Sequence, residues 1–132
     1  MRYLSAGIFA VTLSFGSAAQ SNPVVDKLLD GYAQQGAGPF SATDGKRLWS
    51  TRFAGPDGER ECASCHTVDP RQAGRHAQTG KAIEPLAPSV NAARFTDPGK
   101  VAKWLKRNCK WTLGRECSAQ ENGDLLSYLT TL

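Results

Sequence analysis

The sequence predicts one all-α domain of about four to five short helices behind an export signal. Three observations carry this prediction. Apolar residues recur at helical spacing in separate segments, no segment alternates over the length of a strand, and capping residues stand where the periodic segments begin. A chain of 132 residues suffices for a single domain, and 40% hydrophobic with 21% charged residues is ordinary for a globular one. No run of about 18 apolar residues is present to span a bilayer, and composition excludes collagen-like, coiled-coil and disordered chains.

Residues 1–19, MRYLSAGIFAVTLSFGSAA, read as a secretory signal peptide. Arg2 supplies the basic start, Ile8 to Phe15 the apolar run, and Gly16, Ser17, Ala18 and Ala19 the small-residue cleavage site. Residues 20–132 are then the working domain, expected in the periplasm, where disulfides persist. The sole methionine is Met1, so this domain contains none.

A first helix is expected over residues 23–34, opened by Asn22 as cap with Pro23 in the first position. Its apolar face is Val24, Val25, Leu28, Leu29 and Tyr32. After the loop GAGPFSATDG, the run KRLWSTRF reads as a second short helix. Ala54 to Ala93 shows no sustained period, and so long an irregular stretch in a small domain is commonly wrapped around something. Asp97 and Pro98 open a helix continuing to about Lys110. Ser118 and Glu121 form a capping box ahead of a last helix carrying Leu125, Leu126 and Leu129. So much irregular chain lacks the regular elements for a large core. Another group is expected to fill the centre.

Without Arg2 there remain 15 basic and 12 acidic side chains, a net of +3. Residues 20–97 balance, whereas residues 98–117 hold Lys100, Lys103, Lys106, Arg107, Lys110 and Arg115 against Glu116 alone. This is either a solvated helix face or a surface that steers an acidic partner through Lys100, Lys103, Lys106 and Lys110. The patch is small and lacks interleaved stacking aromatics, so nucleic acid is not expected.

The chemistry lies at Cys62-Ala63-Ser64-Cys65-His66. C-x-x-C-H is the attachment signature of a c-type haem. Thiols at this spacing reach the two vinyl groups of one porphyrin, and the following imidazole becomes the proximal iron ligand. A thioredoxin-like dithiol would need a strand–helix setting. Zinc would recruit Cys109 and Cys117, whose separation exceeds that of a usual zinc pair. One motif means one haem c. Cys109 and Cys117 form an even pair in an oxidising compartment, read as a local disulfide with free thiols as the alternative.

The sixth iron ligand decides what such a haem does, and the methionine of ordinary electron carriers is absent. His76, Asn108, a lysine and an open site remain. At 100° per residue from Val101, Leu105 lies near +40°, Trp104 near −60° and Asn108 near −20°, placing Asn108 in the middle of an apolar stripe. That position suits a ligand, a satisfied core amide or a helix C-terminal cap. His76 reads as a solvated loop histidine or a ligand.

Three runs, CASCHTVDP, TGKAIEPLAPSVNAARFTD and VAKWLKRNCKWTLGREC, closely resemble the family of small monohaem cytochromes c that includes the oxygen-binding sphaeroides haem protein (SHP) and cytochrome c″. The resemblance extends over roughly residues 24–130. It implies a class-I-like cytochrome c fold, a disulfide matching Cys109–Cys117, and a distal ligand immediately before the first of these cysteines. That residue is asparagine in SHP and histidine in cytochrome c″, and here it is Asn108. The stretch around Cys62 looks more like cytochrome c″, and His76 departs from both.

The expectation is an exported monohaem cytochrome that transfers one electron and binds O₂, NO or CO. A hard, weak amide donor tolerates ferric iron better than ferrous, so Asn108 is expected to leave on reduction. Alternatives are a plain carrier with bis-histidine ligation through His76, and a peroxide- or NO-reactive haem enzyme. The chain carries no second haem, flavin or nucleotide motif, so an enzyme is not the expected class. The resemblance implies a redox partner such as a dihaem cytochrome c or a membrane cytochrome b. The protein is expected to be a monomer that does not span the membrane.

Overall fold

A computed structural model describes residues 21–132, so the signal expected over 1–19 lies outside the described residues. Asn22 opens α1 (Pro23–Ala33), its side chain accepting from the Val24 and Val25 amides. Ser41 opens α2 (Ala42–Trp49) by accepting from the Asp44 amide at 3.1 Å. The second helix therefore lies earlier than the run KRLWSTRF. The cap is local, but it is built inside what the sequence presents as a loop. One turn, α3 (Ala63–His66), carries the attachment motif.

Two small antiparallel ladders lie in the stretch where no strand was expected. Phe53–Gly55 (β1) pairs with Gly58–Arg60 (β2), Phe53 opposite Arg60, and Gly74–Arg75 (β3) pairs with Ala82–Ile83 (β4). Strands of two or three residues are too short to show an alternating pattern. Their pairing comes from turns, with Gly58 at φ 119° closing the first.

Asp97 caps α4 (Pro98–Leu113), accepting from the Lys100 amide at 2.9 Å. The helix outruns the end expected near Lys110 because nothing breaks it before Gly114, which adopts a left-handed φ of 73°. The capping box of α5 (Ala119–Leu129) is present in both directions, Ser118 Oγ to the Glu121 amide and Glu121 to the Ser118 amide. Between the two helices Cys109 and Cys117 form the expected disulfide, with Cα atoms 5.5 Å apart. No helix among the described residues is long and apolar enough to cross a membrane.

The core sits where α2 crosses α5, with Trp49, Leu125, Tyr128 and Leu129 as its buried cluster. Glycine permits the crossing. A Cβ on Gly45 would overlap the Asp124 carbonyl, and one on Gly123 would enter the Phe40 ring. Buried Asp124 accepts from the Ser41 amide at 2.7 Å, and Gln120 accepts from the Gly38 amide at 2.6 Å. These two side chains of α5 thus tie down the loop that leads into α2. The buried apolar set is small, while Val68, Val90 and Trp104 remain exposed.

Candidate haem centre

The turn α3 presents Cys62 and Cys65 as free, half-buried thiols and ends on His66. The His66 amide donates to the Cys62 carbonyl at 3.2 Å, and Thr67, at φ 66°, turns the chain sharply away. On one side, Trp49 donates its indole N–H to the Thr67 carbonyl at 3.0 Å and sets its ring 5.6 Å from the His66 ring. On the other, β3 lies so close that a Cβ on Gly74 would meet the Cys65 carbonyl. The Ala77 amide points at Cys65 Sγ, 3.4 Å away.

Burial pushes the Cys62 thiol up to about 11 and, with the Arg94 guanidinium adding to it, drives His66 down to about 4. The imidazole is therefore neutral at physiological pH, the form that ligates a metal. Arg94 is itself fixed by the carbonyls of Glu84 and Pro85, at 2.6 and 2.8 Å. Sequence reasoning singled out neither Arg94 nor the Trp49 contact, since both depend on chain remote from the motif.

Asn108 stands on α4, one residue before the bridged and buried Cys109. Asn108 is not packed against other protein side chains of the core, and its side of the helix is open. The helix packs on the protein core through Cys109 and Thr112, with Leu105 half-buried, and Trp104 and Asn108 lie on the side that this packing leaves uncovered. The bridge and the packing set that rotation, and periodicity does not carry them. Asn108 is thus neither a core amide nor the helix cap, which is Gly114. Two positions past Cys109, Trp111 lies beneath the Arg60 guanidinium, 4.4 Å from the ring centroid, and its carbonyl accepts from Arg60 at 2.9 Å.

His76 belongs to the β3–β4 turn. Its Nδ1 accepts from the Gln78 and Thr79 amides, each at 3.2 Å, and the side chain is exposed. Of the four lysines, Lys106 and Lys110 share Glu116 at 3.0 and 3.1 Å. Lys103 lies 6.0 Å from the Trp104 ring and Arg107 5.1 Å, on its cation-binding faces.

These residues suit a covalently held haem. Two thiols and a neutral imidazole share one turn, the donor set that covalent attachment and iron ligation need. Zinc is disfavoured because the disulfide takes Cys109 and Cys117, and no group of three or more His, Cys, Asp or Glu converges among the described residues.

Comparison with known proteins decides the family. The family described as "Domain of unknown function (DUF1924)" matches residues 35–129. The cytochrome c-type protein SHP of Cereibacter sphaeroides is 40% identical over 115 residues, covering 86% of this chain and 88% of that protein. The chain belongs to the SHP and cytochrome c″ family. Cytochrome c″ of Methylophilus methylotrophus is 46% identical over 92 residues, covering 69% of this chain and 64% of its own length. The structure of oxidized SHP, described as an oxygen-binding cytochrome c, superposes with a TM-score of 0.75 at 40% identity, covering 82% of this chain and 96% of that one. A solution structure of cytochrome c″, concerned with the structural basis of haem-ligand detachment, superposes at 0.70 with 41% identity, covering 82% and 93%. As a member of the SHP and cytochrome c″ family, the chain is a monohaem c-type cytochrome with a covalently bound haem c.

Proposed function

We propose that this chain is an exported cytochrome that exchanges one electron and binds a diatomic gas at a position guarded by Asn108. In this reading Cys62 and Cys65 would hold the haem as thioethers and His66 would ligate its iron. Bound haem supplies one-electron chemistry and a sixth coordination position. Asn108 would offer that position a neutral amide oxygen, hard and weakly basic, a donor that would suit ferric iron better than ferrous. Cys109 anchors the backbone beside it, so the side chain moves while the helix stays.

One observation carries this reading: Asn108 is exposed and belongs to neither core nor cap, directly before a bridged cysteine. His76 is a poorer ligand, because its Nδ1 already serves two amides of its own turn. The relatives support a gas-binding role, since SHP is described as oxygen-binding and cytochrome c″ in terms of ligand detachment. Lys100 and Lys103, whose ammonium groups are not shared with Glu116, are the cationic surface offered to an acidic redox partner, such as a dihaem cytochrome c or a membrane cytochrome b.

The test is the visible spectrum of the ferrous protein before and after CO, in the wild type and in Asn108→His. The wild type should be high-spin and change with CO. The histidine variant should be low-spin in its ferric form, since imidazole is a stronger iron ligand than an amide oxygen. A wild type already low-spin and indifferent to CO would overturn the reading, as would a ferric spectrum left unchanged by Asn108→Ala.

A further inference from the structure

The buried cluster of the core belongs to α2 and α5, and α4 packs against it through the half-buried Leu105. Residues 98–107 of α4 are half-buried or exposed throughout. Two fastenings hold the C-terminal half of this helix. One is the bridge from Cys109 to Cys117. The other is Arg60, whose guanidinium lies 4.4 Å from the centroid of the Trp111 ring and donates to the Trp111 carbonyl at 2.9 Å. The Arg60 side chain is 13% exposed, and its second terminal nitrogen meets Asp57 at 3.1 Å. Arg60 ends β2 and stands two residues before Cys62. The clasp therefore joins the chain that enters the attachment turn to the helix that bears Asn108.

The two fastenings act on different sides of α4. At about 100° per residue, with Cys109 at 0°, Trp111 lies near −160° and Asn108 near −100°. Asn108 thus stands in the arc between them, on the side that the core leaves uncovered. A helix pinned along one side can roll about that line, whereas one pinned on two sides keeps its rotation. A roll of about 20° carries a side-chain atom about 5 Å from the axis through nearly 2 Å, far more than a metal–ligand bond tolerates. Arginine suits the task because its planar fork stacks on an aromatic face and donates from its edge at once.

We infer that Arg60 positions the distal ligand: clasping Trp111, it fixes the rotation of α4 and with it the place of Asn108. This rests on the function proposed above. Arg60 is a positioning residue that acts through the helix.

The experiment is a visible titration of the ferric holoprotein with imidazole, a neutral competitor for the sixth position. It compares the wild type, Arg60→Leu, Asn108→Ala and the double variant. With Asn108 misplaced, Arg60→Leu should bind imidazole about ten-fold more tightly than the wild type, a coupling ordinary for groups that share one structural link. In the Asn108→Ala background the same substitution should change the affinity by less than about two-fold, because the ligand it positions is gone. Arg60→Lys keeps a cation but not the fork, so its affinity should be intermediate. It takes the place of Arg60→Leu in the same comparison if the leucine variant does not fold. An affinity unmoved or lowered by the Arg60 substitution overturns the inference. So does an equal change in both backgrounds, which is a general loosening of the fold. An Asn108→Ala protein that binds imidazole no more tightly than the wild type overturns the functional reading, and this inference falls with it.

Discussion

Replacing Cys117 with Ala opens the bridge to Cys109 while leaving the buried Cys109 sulfur in place. The bridged residues are eight positions apart, and for a loop of that size the chain-entropy relation gives about 2.5 kcal/mol of stabilisation. Little else can make up the loss. The remaining links across the turn are the Arg115–Glu121 pair and the contacts of Lys106 and Lys110 with Glu116, all with exposed basic partners and of small worth. Denaturant unfolding of the ferric holoprotein should therefore show a stability lower by about 2.5 kcal/mol, equivalent to roughly 10 °C in melting temperature for a domain of this size. The ferric visible spectrum should also become mixed in spin state, because Asn108 loses the anchor beside it. A stability loss under about 1 kcal/mol would refute the loop-closure argument. A normal loss with an unaltered ferric spectrum would refute the view that the bridge positions Asn108.

Two further perturbations test the fold that carries the centre. Gly45→Ala should cost more than the roughly 1–3 kcal/mol of ordinary overpacking, since the new methyl meets the backbone carbonyl of Asp124, which cannot step aside; Gly31→Ala, with open space around it, is the control in the same melting experiment. Glu121 is held below its ordinary value of 4.5, first by its hydrogen bond to Arg115 and then by the Ser118 amide. Its contribution is present above the unfolded value and disappears as pH falls through the lower folded one. The stability of Glu121→Gln, measured by unfolding across pH 6 to about 3, should accordingly fall less with acid than that of the wild type.

Much of the local structure was legible because its determinants are neighbours in sequence. Asn22, Asp97 and the Ser118–Glu121 box each satisfy amides within three residues, so the caps could be read directly. The two ladders were not legible, being too short for a period to develop. Asn108 shows the same limit at the site. Its place in the order of the chain was informative, but periodicity placed it in one apolar stripe with Leu105, while the protein core takes the neighbouring Cys109 and Thr112 and leaves Asn108 uncovered.

The sequence by itself determined the attachment motif, the missing methionine, the cysteine pair and the residue standing beside it. These are facts of residue type and short spacing, and covalent chemistry acts at that range. Tertiary structure alone decided which lysines Glu116 takes, which glycines let α2 cross α5, and how Trp49 and Arg94 surround His66. It also seats Trp111 under the Arg60 guanidinium. Each of these depends on the distance between groups far apart in the chain. Packing fixes such distances, and no local pattern encodes them.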